Sequence, residues 1–400
     1  MPRARYIPEL LQIHAEDLAF VWGQRRRALN SAEHTQRDYA ELGERLEAHV
    51  QGLLCAPHEA LFEKLGPGLQ ADDADDSFAA AYALLRSGAA AATDAVVVAF
   101  SRAAGTTLQG LREALCSAAP EPVANAMRAA LQHAKPTTAT AAAAVLAHHR
   151  LLPCTSVRLA RLLEEADAST SALAWRAATL ADRGVGDPLP ARPYWLALSH
   201  ADAAVREAGW AAVAWAGQDA VRPTLRKFAA DGDAVALRWL ATLGSAHDVP
   251  AVQGAALALD PGAARCALLA RHGHPSGLHT LLQWMQGSDD ETAVAAGQAF
   301  ELITGIDVRG QRREVALAPD ADEFARAMAP LVWFPDVDKA RAALQHHQGA
   351  WATGLRWRRG LCLDHELSTE AASRLDMQAR WDIAARSALA GGAAPSPPMA

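Results

Sequence analysis

Residues 201–217 read ADAAVREAGWAAVAWAG, and the fold follows from the pattern in this stretch. An aspartate stands near its start, alanines fill most of it, and a glycine closes it. An aspartate side chain accepts hydrogen bonds from the free backbone N–H groups at the start of a helix. Glycine adopts the left-handed conformation in which many helices end. The stretch therefore predicts one helix of about three turns with a defined start and a defined end.

The same pattern returns at intervals along the chain. An acidic or small polar residue again precedes an alanine-rich run that a glycine closes, at 72–88, 169–184, 231–244, 260–273 and 289–305. From residue 169 onward the successive starts lie roughly 30 residues apart, a period typical of helical solenoids. A second apolar helical segment follows several of these runs, as at 219–230 and 275–287. The repeating unit is therefore predicted to be a pair of helices.

Alanine makes up roughly 95 of the 400 residues, and this content favours an all-α fold. Alanine is the strongest helix former and is disfavoured in strands. Its small side chain lets stacked helices approach closely on both faces. The composition therefore argues against a β-sandwich, a barrel or a parallel α/β sheet.

The pattern divides the chain into four segments. Residues 1–68 are predicted to form a helical hairpin that caps the repeats, since apolar residues recur every three or four positions in two successive stretches. Residues 69–308 hold the repeats. Residues 309–390 are predicted to be a mostly helical capping region, with a helix at 323–331, short strands or extended turns near 355–363, and a helix or helix pair at 368–390. Residues 391–400 are predicted to be a disordered tail.

Charge and cysteine usage indicate the compartment and the partners. The net charge of −7 disfavours a general nucleic-acid or anionic-membrane surface. The five cysteines are scattered and form no CxxC pair, as is usual in a reducing cytoplasm. No apolar run is long enough to span a bilayer. We therefore expect a cytoplasmic protein with no membrane partner, for which nucleic acid is also a disfavoured partner.

No catalytic or cofactor-binding motif stands in the sequence. It contains no GxSxG, P-loop, HExxH or Rossmann phrase, so we expect no enzymatic activity and no cofactor. His272, His274 and His279 are possible metal ligands, but they lie in a Gly/Pro turn and only Cys266 has matching spacing. We therefore predict no metal site.

Arginine and tryptophan recur in the repeats and are the candidate binding residues. Asp202, Arg206 and Arg265 are predicted to be structural, with Arg206 paired to Asp202 or Asp233. Trp210 and Trp215 point roughly 140° apart on one helix, which indicates that tryptophans occupy different faces. Because tryptophan and arginine dominate binding hot spots, partner contact and core packing both stay open. The candidates for partner contact are Trp175, Arg176, Trp210, Arg238, Trp239, Trp284, Arg356, Trp357, Arg358 and Arg359, and Trp210, Trp239 and Trp357 are expected to be exposed.

Four stretches carry a family resemblance. The phrase D-x-x-V-R-x-A at Asp202–Ala208 resembles HEAT-like repeats of the phycobilin-lyase type. The wider layout is similar to a bacterial family of HEAT-repeat proteins associated with type VI secretion gene clusters, through residues 10–53, 300–307 and 334–375. The resemblance implies a HEAT-like α-solenoid, a right-handed superhelix of helical hairpins, with a helical N-terminal cap and a small C-terminal helical element.

Three functions are compatible with such a chain. The first is a non-enzymatic protein–protein interaction scaffold, an adaptor or immunity-like partner that binds a secreted effector or a spike component. The second is a nucleic-acid-binding enzyme of the alkylpurine DNA glycosylase kind, which requires arginines that converge in a basic groove around a carboxylate. The third is a chaperone similar to the chromophore lyases. The first is the function that the resemblance favours.

Overall fold

The computed structural model describes residues 6–165, 167–182, 190–287, 289–314, 331–351 and 354–398. These residues are mostly α-helical, which confirms the all-α prediction. The chain forms two compact units, one of Met1–Asp219 with Ser387–Ala400 and one of Ala220–Arg386. The predicted boundaries after residues 68 and 308 follow a different division and stay predictions. No helix among the described residues is both long and apolar enough to cross a membrane.

The first unit contains twelve α-helices within its described residues. They are α1 (Pro8–Ala28), α2 (Gln36–Leu54), α3 (His58–Leu65), α4 (Ala74–Arg86), α5 (Ala90–Arg102), α6 (Gly105–Ser117), α7 (Ala124–Leu131), α8 (Pro136–His148), α9 (Val157–Leu162), α10 (Ala168–Ala181), α11 (Tyr194–Leu198) and α12 (Ala203–Trp215). Helices α4, α6, α8, α10 and α12 pack side by side in that order. Helices α5, α7, α9 and α11 pack against members of this row. The first unit is therefore a row of helices with a second set of helices against it.

The predicted amino-terminal hairpin is confirmed by α1 and α2, which pack against each other. Leu18 and Val50 are buried in their contact. Trp22 stacks on Phe78 with ring centroids 3.7 Å apart, and its indole N–H donates to the Glu113 carboxylate at 3.0 Å. The hairpin is thereby joined to α4 and α6 at the start of the row.

The second unit holds six further helices before its first strand. They are α13 (Arg222–Ala230), α14 (Ala234–Leu243), α15 (Val249–Ala258), α16 (Ala263–His272), α17 (Gly277–Met285) and α18 (Asp290–Thr304). Helices α14, α16 and α18 pack side by side in that order, and α13, α15 and α17 pack against them. The second unit thus repeats the arrangement found in the first.

Among its described residues, two short hairpins and three helices complete the second unit. They are β1 (Arg309–Glu314), β2 (Leu331–Pro335), α19 (Val337–Trp351), β3 (Trp357–Arg358), β4 (Leu361–Cys362), α20 (Thr369–Ser373) and α21 (Met377–Leu389), whose last three residues belong to the first unit. Strands β1 and β2 are antiparallel, with Arg309 opposite Pro335. The strands near residue 360 and the final helix pair are as predicted. The sequence did not predict β1 and β2, and its helix at 323–331 lies outside the described residues except for Leu331, which begins β2.

The predicted helix starts are largely confirmed. The side chains of Asp73, Asp202, Asp233 and Asp289 each accept a hydrogen bond from the first turn of the helix that follows. At 260–273 the prediction is wrong, because Gly262 rather than Asp260 directly precedes α16. An aspartate at the helix start thus organises four of the repeated stretches.

The glycines that follow these helices behave as predicted at four positions and differently at a fifth. Gly88, Gly217, Gly273 and Gly305 have positive φ angles between 67° and 72°. Gly244 has a φ of −62°, so the prediction of a left-handed end is wrong for α14. The carbonyl groups at the end of α14 are instead bonded to side chains from other elements.

The described chain end, residues 392–398, forms no helix or strand. The indole N–H of Trp215 donates to the Pro395 carbonyl oxygen at 3.0 Å, which ties this end to α12 within the first unit. The disorder predicted for residues 391–400 stays a prediction, although Pro395 has this one contact with α12.

Close packing in the row depends on small residues, and Gly110 of α6 is the clearest case. A Cβ atom there would overlap the Ala74 carbonyl oxygen and lie 2.9 Å from the backbone nitrogen of Phe78. Both are backbone atoms of α4 and its start, so they cannot move aside as a flexible side chain can. The absence of a side chain at Gly110 therefore sets the distance between α6 and α4.

We expect Gly110→Ala to lower the free energy of unfolding by about 1–3 kcal/mol, because the added methyl group forces α4 and α6 apart. Gly254→Ala is the matched control, since a Cβ atom at Gly254 meets nothing within 4 Å. That control should raise stability by roughly 0.5–1 kcal/mol through helix propensity. Urea unfolding followed by circular dichroism measures both. Equal effects of the two substitutions would contradict this account of the packing.

Candidate functional site

The tryptophans chosen from the sequence lie mainly in the core. Trp175, Trp210 and Trp239 are 1%, 0% and 6% exposed. The expectation that Trp210 and Trp239 are exposed is therefore wrong, and the partner-contact interpretation does not fit these three buried side chains. Their burial agrees with the packing interpretation, in which large rings fill space in an alanine-rich core.

The remaining repeat candidates are closer to the surface. Arg238 is exposed, whereas Arg176 and Trp284 are half-buried. Arg176 belongs to the first unit, and Arg238 and Trp284 belong to the second. The Arg265 guanidinium lies 4.2 Å from the Trp284 ring centroid, a cation–π contact within the second unit.

Asp202 and Arg206 have structural contacts. Asp202 accepts a hydrogen bond from the Ala204 backbone N–H at 2.8 Å. Arg206 donates to the carbonyl oxygens of His200 and Ala201, both at 2.7 Å. These bonds tie the turn before α12 to its first two turns.

The segment 356–360 crosses the carboxyl ends of helices in the second unit. The Trp357 N–H donates to the Gly273 carbonyl oxygen at 2.7 Å, directly after α16. The N–H groups of Arg359 and Gly360 donate to the carbonyl oxygens of Leu302 and Ile303 in α18, at 2.6 and 3.1 Å. The last carbonyl groups of a helix have no partner within the helix itself. We call this segment the capping strap because its backbone supplies such partners.

Two arginine side chains of the capping strap also donate hydrogen bonds to carbonyl groups at helix ends. The Arg356 guanidinium donates to the Gly244 carbonyl oxygen at 2.9 Å, at the carboxyl end of α14. The Arg358 guanidinium donates to the Ala270 carbonyl oxygen at 3.1 Å, in the last turn of α16. Cations are favoured there because the helix dipole is negative at its carboxyl end. The strap therefore caps α14, α16 and α18.

Further side chains form hydrogen bonds to the carboxyl end of α14. Arg222 donates to the Leu243 carbonyl oxygen at 2.6 Å, and Arg386 donates to the Thr242 carbonyl oxygen at 3.3 Å. His272 Nδ1 lies 3.2 Å from the Ala241 carbonyl oxygen. These three residues bond the last three carbonyl groups of α14, and Arg356 bonds the carbonyl group of Gly244. Helix α14 can therefore end without a left-handed glycine.

Aspartates hold these arginines in place. Arg358 makes a bidentate pair with Asp376 at 2.7 and 2.8 Å, and both side chains are almost fully buried. Arg356 pairs with Asp364 and Arg271 with Asp382 through two bonds each. Bidentate pairs of this kind fix orientation as well as charge. The carboxylates thus leave the guanidiniums aimed at the helix ends.

This geometry contradicts partner contact for one member of the basic–aromatic cluster, Arg358, and leaves it a prediction for Arg356, Trp357 and Arg359. Arg358 is 2% exposed and fully engaged, so it is not available to a partner. Arg356, Trp357 and Arg359 are half-buried, and the strap that contains them is bonded to three helices. The sequence shows the basic charge of Arg356 and Arg358 but not the carbonyl groups that they bond, because these belong to residues 112 and 88 positions away.

The histidines of the turn after α16 do not share a ligand geometry. His272 faces Ala241, whereas His274 Nδ1 lies 2.6 Å from the Ser276 hydroxyl oxygen, and the two rings are 6.3 Å apart. Within the described part of the chain, no three His, Cys, Asp or Glu side chains are placed to hold a metal ion.

Sequence reasoning missed an apolar groove of about 920 Å³ in the second unit. Its walls come from α13 and α15, and Leu237 and Leu240 of α14 lie at its base. Small residues on α15 line it at helical spacing, at 251, 254, 255 and 258. Such spacing of small residues on one helix face was the signal that could have located the groove.

Burial lowers the pKa of His272 to about 4, and this predicts acid sensitivity. The unfolded chain binds a proton at this histidine below pH ~6.5, whereas the folded chain does so only near pH 4. The free energy of unfolding should therefore fall by up to about 3 kcal/mol as the pH drops through this window.

His272→Gln should flatten this decrease in unfolding experiments at pH 7, 5.5 and 4.5, because glutamine can still donate to Ala241 without titrating. His279→Gln, at an exposed position, should keep the wild-type slope. His148 and His274, whose pKa values burial also lowers, contribute to the remaining slope. An unchanged slope in His272→Gln would show that His272 does not titrate as its burial requires.

Comparison of the chain with protein-family models and with curated proteins finds no match. The resemblance to HEAT-like repeats and to the secretion-associated family therefore stays a prediction from the residues quoted for it. The function has to be argued from the helix rows, the groove and the charges of the described residues.

Proposed function

We propose that the chain is a non-enzymatic helical-repeat scaffold of the HEAT-like α-solenoid type that binds another protein. In each unit, successive helices pack into a row and further helices pack against that row. Proteins built from such repeated pairs present preformed grooves that need little reorganisation on binding. This arrangement supports a binding role more directly than a catalytic one.

The observation that carries the proposal is the apolar groove between α13 and α15. Ala251, Gly254 and Ala258 are exposed along one face of α15 and have side chains no larger than a methyl group. Small residues at a contact let the backbone of a third helix approach closely. Leu237 and Leu240 offer it an apolar base.

The occupant that this groove fits is a short amphipathic helix of the partner. Helix α15 has ten residues, which correspond to about 15 Å and to roughly three turns of a partner helix. An amphipathic helix that lays its apolar side into such a groove is a common mode of recognition. The partner is therefore expected to present apolar residues at i, i+3, i+4 and i+7.

Charge at the edge of the groove favours a protein over nucleic acid. Arg226 lines the groove but forms a bidentate pair with Asp248, at 2.6 and 3.2 Å. Burial raises the pKa of Asp248, yet hydrogen bonds from Arg226 and Ser245 outweigh this effect and lower it to about 2. The pair is therefore ionised at neutral pH and its charges cancel. An apolar ridge fits this lining better than a phosphate backbone does.

The resemblance to the type VI secretion family suggests the setting. It supports a cytoplasmic accessory, adaptor or immunity-like role, with a secreted effector or a spike component as the partner. In that role the groove would hold a helix of the cargo until the cargo is delivered or neutralised.

Gly254→Glu should abolish partner binding, because it places a charge in the apolar groove at a position where the side chain meets no neighbour. Gly254→Ala should retain binding. Val157→Glu makes an apolar-to-acidic change at a 68% exposed site of the first unit and should also retain binding. Affinity capture from native cells is carried out with the wild type and these three variants. Mass spectrometry then identifies the protein that only Gly254→Glu fails to capture.

A synthetic peptide that covers the helical segment of that protein is then titrated by calorimetry. We expect Gly254→Glu to weaken its binding more than tenfold relative to Gly254→Ala. Recovery of the same proteins by all four chains, or equal peptide affinities, would contradict the groove as the binding site.

A further inference from the structure

A second cavity lies between α18 and the β1–β2 hairpin, with a volume of about 360 Å³. This size is at the lower end of the range for small-molecule sites. Most of its wall is apolar, and the polar groups are few: Gln298, Glu301 and Arg309, with the indole of Trp333. We call it the hairpin pocket.

Gly297 creates the close approach that shapes the hairpin pocket. A Cβ atom there would lie 2.7 Å from the Cβ atom of Pro335, so only glycine lets β2 pack this closely on α18. Glu301 is one helical turn further along α18, and Trp333 is two residues before Pro335 on β2. The glycine thus brings a carboxylate and an indole to the same cavity.

The Glu301 carboxylate has no hydrogen-bond or ion-pair partner among the residues that the structure describes, although the residue is half-buried. Burial raises the pKa of its carboxyl group, an effect that Arg309 and Arg359 oppose and Asp307 reinforces. A half-buried carboxylate without a partner costs free energy unless a cation or a donor satisfies it. The site therefore offers a negative charge that no described side chain pairs with directly.

The neighbouring arginines are occupied elsewhere. Arg309 donates two hydrogen bonds to the Asp307 carboxylate, both at 2.9 Å. Arg359 lies 3.4 Å from the Asp376 carboxylate. Neither guanidinium comes within ion-pair distance of Glu301, so the charge of that carboxylate is only partly balanced.

Trp333 provides an aromatic wall that is 47% exposed. Its ring already accepts a cationic neighbour, since the Arg312 guanidinium lies 5.6 Å from the ring centroid. Indole attracts cations through its negative face more strongly than other aromatic side chains. A carboxylate, an indole and apolar walls together are the chemistry that recognises an organic cation.

We propose that the hairpin pocket binds a protonated or alkylated ammonium group, with Glu301 as its counter-ion and Trp333 as its aromatic wall. The group comes either from a small free amine or from a lysine side chain of a protein, because both present the same cation on an alkyl chain. Val294, Val308 and Val332 line the pocket and contact that chain. This inference is independent of the groove between α13 and α15.

Calorimetric titration of the purified full chain tests the proposal with three probes: tetramethylammonium, n-butylammonium and Nα-acetyl-lysine methylamide. We expect Glu301→Gln to weaken binding at least tenfold, since it removes the charge and keeps the shape. Trp333→Leu should weaken it by roughly 3–30-fold through loss of the cation–π contact. Stronger binding of the lysine derivative than of n-butylammonium assigns the natural ligand to a protein side chain, and the reverse order assigns it to a free amine.

Matched controls separate the pocket from general effects of charge and ring loss. Glu291→Gln removes an exposed carboxylate from the same helix, and Trp195→Leu removes a 68% exposed indole of the first unit. Both should bind the probes as the wild type does. Circular dichroism establishes that each variant is folded.

The pH dependence gives a readout that a structural role of Glu301 would not produce. Cation binding requires the ionised carboxylate, so affinity should fall as the pH decreases toward the pKa of Glu301. Because this pKa is raised, the fall should begin at a higher pH than for an ordinary glutamate. Binding to Glu301→Gln should not follow this course. The proposal would be overturned if the wild type bound none of the three probes. It would also be overturned if Glu301→Gln and Trp333→Leu bound the probes as tightly as the wild type does.

Discussion

Side-chain hydrogen bonds to the carboxyl end of α14, three of them from arginines, are the interaction on which the second unit depends. A helix leaves its last carbonyl groups without partners, and its dipole makes that end negative. In α14 these groups face Arg222, Arg356, Arg386 and His272 instead of a left-handed glycine. Side chains from before and after the helix row thus meet at one point, so the end of α14 connects distant parts of the chain.

The capping strap extends this connection to the whole row. Its backbone bonds the ends of α16 and α18, and its arginines bond α14 and α16 while aspartates hold them. Each proposed binding site includes residues of a helix that the strap caps. Leu237 and Leu240 of α14 form the base of the groove, and Glu301 of α18 lines the hairpin pocket. Sites on such fixed elements keep their geometry without a partner.

Local sequence patterns predicted most of the helices. Features that depend on contacts between distant residues could not be predicted from the sequence. Aspartate caps and alanine runs located most helices, because both act within a few residues. Burial of Trp210 did not follow from its helix, since a helix in the row is covered on more than one side. Strand β1 reads RGQRRE and has no alternation of apolar and polar residues to reveal it. The pocket joins Glu301 to Trp333, which no local spacing indicates.

Native-state hydrogen exchange at increasing denaturant, read by mass spectrometry, tests directly whether the capping strap holds the helix row together. The amides of Trp357, Arg359 and Gly360 donate to the ends of α16 and α18 and should be protected only while those ends are folded. We predict that they open in one transition with the carboxyl ends of α14, α16 and α18. Exchange of the strap at much lower denaturant, with the three helix ends still protected, would contradict this account.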